Sequence, residues 1–369
     1  MTHEAGSSRP EFVGRNSEII QLTNALQNPH VRLILLVAPT GLGKSALVNH
    51  WVRTLQPEDA GGITRVFARS LFADDPLVRP HRWLTSVLED ACRFFGLTDA
   101  PVSGALAQAI RSQRSLVILD GVDGCVLPER RNPCRAASTL AELIHGLVDE
   151  NPGLSILTLQ AVPPSLQSLP ATQVIRLGPL TEVEGAQILH SQGVHGAQGE
   201  RGSDDRQLRQ LARECGGHPV LISLLGRYLT RVHDGHIRQK QLAIPPAGAR
   251  FDVQFRHLLR AFTDWLHDGP ELALLRLLAF SAEPMFLEEL LEIAQHPAMA
   301  SLGAPLNGQS QDGLIWAAKT LQDCGLVKIR ADNRLVSSQL VRQHIRAELR
   351  AQHRLPPLPQ SKAISAPRI

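Results

Sequence analysis

Gly41, Gly43, Lys44 and Ser45 stand in the stretch APTGLGKSAL, and two carboxylates, Asp120 and Asp123, stand in LVILDGVDG. Glycines followed at once by a lysine and a hydroxyl residue are a means of gripping phosphate. Glycine lets the backbone approach an anion closely, N–H groups at a helix start point at it, and the lysine adds charge. In the pattern G-x-x-x-x-G-K-[ST] the lysine pairs with the β- and γ-phosphates and the hydroxyl ligates Mg²⁺, roles that fall here to Lys44 and Ser45. The run Gly41, Leu42, Gly43, Lys44, Ser45 and Ala46 is therefore the candidate phosphate cradle. One position departs from the pattern. Ala38 stands where its first glycine belongs, which costs only backbone freedom provided φ is negative there. A carboxylate on the metal side is expected at the end of an apolar strand, and Asp120 ends such a run. It is the second candidate ligand for Mg²⁺, and Asp123 is placed to orient an attacking water. Lys44, Asp120 and Asp123 form the candidate catalytic set. Taken alone, Asp120 also suits the cap of a strand-to-helix turn.

These residues need elements to hold them. Val31, Leu33, Ile34, Leu35, Leu36 and Val37 form the apolar run of a strand buried on both faces, which stops at Pro39, and Leu47, Val48, Trp51, Val52 and Leu55 repeat at the spacing of one helix face. The candidate cradle joins that strand to that helix. Strand-like runs recur near residues 31–38, 63–68, 115–120, 154–159 and 173–177, separated by helical patterns such as 80–95 and 136–149. That alternation predicts an α/β fold with a parallel sheet, in which ligands gather at the carboxyl ends of strands. After Pro179 the strand pattern stops. TEVEGAQILHSQ, DRQLRQLAREC and PVLISLLGRYLTRV read as three helices, the second closed by Gly216 and Gly217 and the third opened by Pro219. A polar stretch over 232–250 leads to further helices near 252–268, 270–281 and 286–295. Helix, strand, Asp-Asn turn, strand and helix then follow over DGLIWAAKTLQDCGLVKIRADNRLVSSQLVRQHIRAEL, a winged-helix order. The expected division is a polar, disordered 1–10, an α/β nucleotide-binding domain over 11–179, a small helical domain over 180–235, a helical and winged-helix domain over 236–353, and a Pro-rich tail over 354–369.

Composition narrows the function classes. A chain of 369 residues has room for two or three cores, and a net charge of +3 implies no general affinity for polyanions. Cys92, Cys125, Cys134, Cys215 and Cys324 have no C-x-x-C spacing, against a disulfide framework or structural zinc. The histidines include no H-E-x-x-H, and His190, His195, His233 and His236 read as surface residues. No signal-peptide pattern opens the chain and no apolar run reaches the ~18 residues of a membrane span, so a cytoplasmic protein is expected.

With its elements in order the chain resembles the STAND nucleotide switches, which include the NB-ARC and NACHT ATPases, from about residue 11 to 350. FVGRNSEI resembles their V-G-R box, which implies that Val13, Gly14 and Arg15 lie beside adenine and ribose. LDGVDG is similar to the NACHT form of the second motif, with Gly124 where an acidic residue often follows. IRLGPLTEVEGAQIL is similar to the link into the helical domain, and LARECGGHPVLISLLG resembles the G-x-P motif, which implies that Pro219 packs on the adenine. The residues after Tyr228 look most like bacterial members with effector domains before the module and repeats after it. No such effector is expected before residue 11 and no repeat array after 350. Two departures touch phosphate readout. Gln160 stands where relatives carry a γ-phosphate-sensing arginine, and Ser338 where many carry a histidine against the ADP β-phosphate.

Three functions remain open from the sequence. The first is an ATP/ADP switch with Mg²⁺, with nucleotide held between the α/β core and the helical and winged-helix domains, slow hydrolysis, and protein partners or self-assembly as output. The second is a winged-helix regulator or origin-type ATPase that binds DNA through Arg342, Arg346 and Arg350, spaced along one face of the last helix. Gln343, Glu348 and the lack of interleaved aromatics instead suit a solvated face. The third is a catalytically silent nucleotide scaffold.

Overall fold

Alternate residues of one strand belong to two different cores. A computed structural model describes residues 12–56, 58–71, 80–97, 103–123, 135–196, 201–238, 248–281 and 283–352. In strand β1 (Leu33–Val37) the side chains of Leu33, Leu35 and Val37 join one apolar cluster, while Ile34 and Leu36 join another. This is the period-two alternation of a strand covered on both faces.

Four further strands lie parallel to it: β2 (Arg65–Ser70), β3 (Ser115–Asp120), β4 (Leu154–Leu159) and β5 (Thr172–Arg176), in the order β2-β3-β4-β1-β5. One face is covered by α1 (Asn16–Gln27) and α2 (Lys44–Thr54), whose Leu22, Leu26, Leu47 and Trp51 are buried against it. The other is covered by α3 (Pro80–Phe94), α4 (Ser103–Arg111) and α5 (Arg135–Asp149), which contribute Leu88, Leu106, Ile110, Leu140 and Ile144. The expected strands are all present, shifted by no more than a few residues at their ends. Sequence periodicity had not singled out α4. In this order β4 separates β1 from β3, with Val37 level with Leu159 and Asp120 level with Thr158. The end of β4 therefore stands between the candidate cradle and the candidate carboxylate.

The described residues divide into two compact units after Glu184, except that His218–Val220 belong with the first. The second unit is mostly helical. Helix α6 (Pro164–Gln167) precedes β5 in the first unit; α7 (Glu182–Ser191) begins at the division and runs on into the second. It packs so closely on α8 (Arg201–Glu214) that a β-carbon on Gly185 would lie 2.5 Å from Ala212 Cβ. Gly216 and Gly217, with φ of 61° and 67°, end α8 in the left-handed region. Then come α9 (Pro219–His233), α10 (Phe251–Leu266), α11 (Pro270–Leu278), α12 (Leu287–Gln295) and α13 (Ala300–Gly303).

The winged helix follows as α14 (Gln311–Asp323), β6 (Val327–Ile329), β7 (Leu335–Ser337) and α15 (Gln339–Ala351). The two strands are antiparallel, and Asn333, φ 63°, makes the turn between them. The expectations for residues 1–10 and 354–369, for Gly124, Cys125 and Cys134, and for part of 232–250 lie outside the described residues.

The last helix corrects one premise of the DNA reading. Its arginines do not form an exposed stripe: Arg342 and Arg346 are buried, and only Arg350 is exposed. Arg342 donates to the Ser337 carbonyl and Arg346 Nε to the Ala279 carbonyl. Burial and the neighbouring Arg346 charge push Arg342 down to about 10. Four-residue spacing placed the arginines on one face, but Val341, Ile345 and Leu349 share much of it. The long side chains go in with them to satisfy buried carbonyls.

Candidate nucleotide-binding site

The chain leaves β1 through Ala38, which does not adopt a positive φ, so the missing glycine costs no strain there. Gly41 and Gly43 do, at 90° and 89°, and Gly43 is the residue from which α2 starts. A side chain at Gly43 would force a strained backbone, and its β-carbon would have Pro219 Cγ as nearest neighbour at 3.9 Å. Pro219 is thus beside the cradle, within the first unit. Leu42 is buried and Ala46 exposed.

Lys44 is 7% exposed and its ammonium points back into the turn, donating to the carbonyls of Ala38, at 2.5 Å, and Pro39, at 3.3 Å. Burial lowers its pKa, and the charges of Asp123 and Asp120 oppose that shift.

Ser45 and Asp120 meet directly. Ser45 Oγ donates to Asp120 Oδ2 at 2.6 Å across 75 residues of sequence. The other carboxylate oxygen accepts from Thr158 Oγ1 at 2.5 Å, and Thr158 Oγ1 in turn accepts the Gly121 N–H at 2.8 Å. Asp123 Oδ1 accepts the backbone N–H of Gln160 at 2.6 Å, while the Gln160 residue is exposed. A hydroxyl and a carboxylate side by side are hard oxygen donors, which suits a hard cation such as Mg²⁺. Among the described residues no cluster of three or more His, Cys, Asp or Glu offers a metal cage.

The structure therefore brings together Gly41, Gly43, Lys44, Ser45, Asp120, Asp123 and Pro219. It ties the V-G-R box to the same place by another route. Gly14 and Arg15 both have positive φ, 75° and 65°. The buried Arg15 guanidinium pairs with Glu18 at 3.0 Å and donates to the carbonyls of Leu42 in the cradle, at 3.3 Å, and Gly178 after β5, at 2.6 Å. Val13 is half-buried beside them. Phe12, one residue earlier, stacks on His50 of α2 with ring centroids 4.1 Å apart. Thr158 and Glu184 escaped the sequence reading. Nothing but a threonine near a strand end marks the first, whereas the T-x-x-E spacing from Thr181 to Glu184 is a capping-box signature that marks the second.

Comparison with known folds agrees with this architecture. A Signal Transduction ATPase with Numerous Domains (STAND) from Pyrococcus horikoshii, which carries a tetratricopeptide-repeat sensor, superposes with a TM-score of 0.54 at 14% identity over 91% of this chain. The chain has the fold of a STAND-class P-loop ATPase. It spans 42% of that Pyrococcus horikoshii protein. The STAND-type α/β unit is followed here by helical and winged-helix parts. A Walker-type ATPase of Pyrococcus abyssi (TM-score 0.44, 13% identity, 92% of this chain and 99% of that one) is also similar. So is the ORC1 protein of Aeropyrum pernix, solved in complex with DNA (0.44, 17%, 94% and 95%). No protein-family model and no curated protein sequence matches the chain. Among the described residues no helix is long and apolar enough to cross a membrane.

Proposed function

We propose that the chain is an ATP/ADP-operated switch with slow Mg²⁺-dependent hydrolysis. What supports this most is the Ser45–Asp120 contact, because it joins the two separate halves of a P-loop metal site at hydrogen-bond distance. In this reading the backbone of Gly41–Ala46 cradles the phosphates, and Lys44 exchanges the Ala38 and Pro39 carbonyls for phosphate oxygens. Ser45 and Asp120 would hold Mg²⁺, which would supply positive charge against the phosphates. Asp123, fixed by the Gln160 N–H, orients the attacking water. Gln160 cannot supply the positive charge of an arginine, so turnover is slow. Val13, Gly14 and Arg15 on one side and Pro219 on the other border the base.

The switch output is a change in domain arrangement or assembly into larger complexes, with the domains divided near 179/180 and 235/236. Among the described residues Cys92, Cys215 and Cys324 are buried thiols outside any disulfide, which suits a reducing compartment such as the cytoplasm.

Titration calorimetry with MgATP and MgADP tests the reading. Binding is expected to the wild-type chain and not to Lys44→Ala, whose circular dichroism should be unchanged. Equal affinity in the two proteins overturns it. A second reading, a nucleotide scaffold without turnover, is favoured by Ser338, whose hydroxyl caps α15 by accepting the Val341 N–H at 3.4 Å. Single-turnover phosphate release separates the two readings.

A further inference from the structure

Thr158 is fully buried at the end of β4, level with Asp120 on β3. Its hydroxyl has one hydrogen to give. Because Oγ1 accepts the Gly121 N–H, that hydrogen is directed at Asp120 Oδ1. Asp120 Oδ2 then faces Ser45, whose hydroxyl can give its hydrogen to the carboxylate and still offer a lone pair to a cation. Gln160, two residues on, holds Asp123 by its backbone N–H. The end of one strand thus fixes both acidic side chains, one by a hydroxyl and one by a main-chain amide.

We infer that Thr158 is a positioning residue for the metal: by taking Asp120 Oδ1 it sets the carboxylate so that Oδ2, beside Ser45, is the oxygen presented to Mg²⁺. This rests on the nucleotide-switch reading above. Partners that orient a ligand in this way typically change metal affinity by about 10- to 100-fold when removed. A threonine held only for packing would be replaced by valine without any such loss, since the two side chains have nearly the same shape.

The test is the Mg²⁺ dependence of binding of a fluorescent ADP analogue by the full chain, in wild type, Thr158→Val and Thr158→Ser. In Thr158→Val, half-saturation is expected to need at least about tenfold more Mg²⁺, with affinity in EDTA unchanged. Thr158→Ser, which keeps the hydroxyl, should restore the wild-type value. A wild-type half-saturation in Thr158→Val overturns the inference. So does a loss of affinity that is equal with and without Mg²⁺, or a folded Thr158→Ser that behaves like valine. If melting shows Thr158→Val to be unfolded, Thr158→Ala carries the same comparison with the same two outcomes. A wild-type chain that binds the analogue in neither condition refutes the switch reading and this inference with it. Binding with unaltered Mg²⁺ dependence in the variants refutes the inference alone.

Discussion

Glu184 rests against Gly14: a β-carbon on Gly14 would lie 2.1 Å from Glu184 Oε1. The same carboxylate accepts the Arg15 N–H at 3.3 Å and, through its other oxygen, the Thr181 N–H and hydroxyl, each at 2.8 Å. One side chain therefore joins the V-G-R box to the start of α7, and Arg15 carries the connection on to Leu42 in the cradle. The glycine is needed twice, for its positive φ and for the space above it.

Gly14→Ala should destabilise the first unit by about 1–3 kcal/mol, since the residue must keep a left-handed backbone and displace the Glu184 carboxylate. Urea unfolding of a double-mutant cycle separates the two causes. Glu184→Ala removes the obstruction, so the Gly14→Ala cost should be smaller in that background. Strict additivity would show that Glu184 does not constrain Gly14.

Glu184 also gives the fold a dependence on pH. Burial alone would raise its pKa, but the hydrogen bonds from the Thr181 backbone and hydroxyl and from the Arg15 N–H, with the Arg15 charge, bring it below the ordinary value. A carboxylate with a depressed folded-state pKa contributes stability that is complete above its unfolded pKa of about 4.3 and is lost as pH falls through the folded value. Glu184→Gln should be less stable than wild type near neutral pH, and the gap between them should close as the medium is acidified through that window. Urea midpoints at a series of pH values would show this; a gap that widens in acid contradicts the assignment.

The rate of hydrolysis is the third expectation. With Gln160 at the end of β4 and no arginine there, turnover by the purified chain should stay below ~10⁻² s⁻¹, in the range of intrinsic nucleotide switches without their activators. Asp120→Asn should lower it further, because an amide is a poorer partner for Mg²⁺ than a carboxylate. Phosphate release measured beside Lys44→Ala checks both. Several turnovers per second from wild type would exclude a slow switch.

How far the sequence could be trusted depended on how local the cause was. The β1–α2 turn was legible because Gly41, Gly43, Lys44 and Ser45 are neighbours and their conformations follow from residue type. Asp120 was legible because an apolar run ending in a carboxylate is a local pattern too. Thr158 was not: its part comes from β4 lying between β1 and β3, a consequence of sheet order that no local spacing records. Arg342 and Arg346 show the opposite difficulty. Helical spacing placed them on one face correctly, but whether that face meets water or the carbonyls of Ser337 and Ala279 is set by what packs on it.

If the arginines of α15 served a nucleic-acid surface, Arg346→Ala and Arg350→Ala would each weaken DNA binding and leave the fold intact. The structure makes them unlike. Arg346, 8% exposed, ties α15 to the end of α11 through the Ala279 carbonyl, while Arg350 is exposed. Removing a buried charged donor leaves its acceptor without that partner and opens a space where the side chain's stem was packed. Arg346→Ala should therefore cost about 2–4 kcal/mol, whereas Arg350→Ala should stay within about 0.5 kcal/mol of wild type. Thermal and urea unfolding of the two variants gives the comparison directly. Equal, small effects on stability would mean that the Arg346 side chain does not hold the winged helix to α11, and would return the arginine row to the surface as a candidate for phosphate contacts.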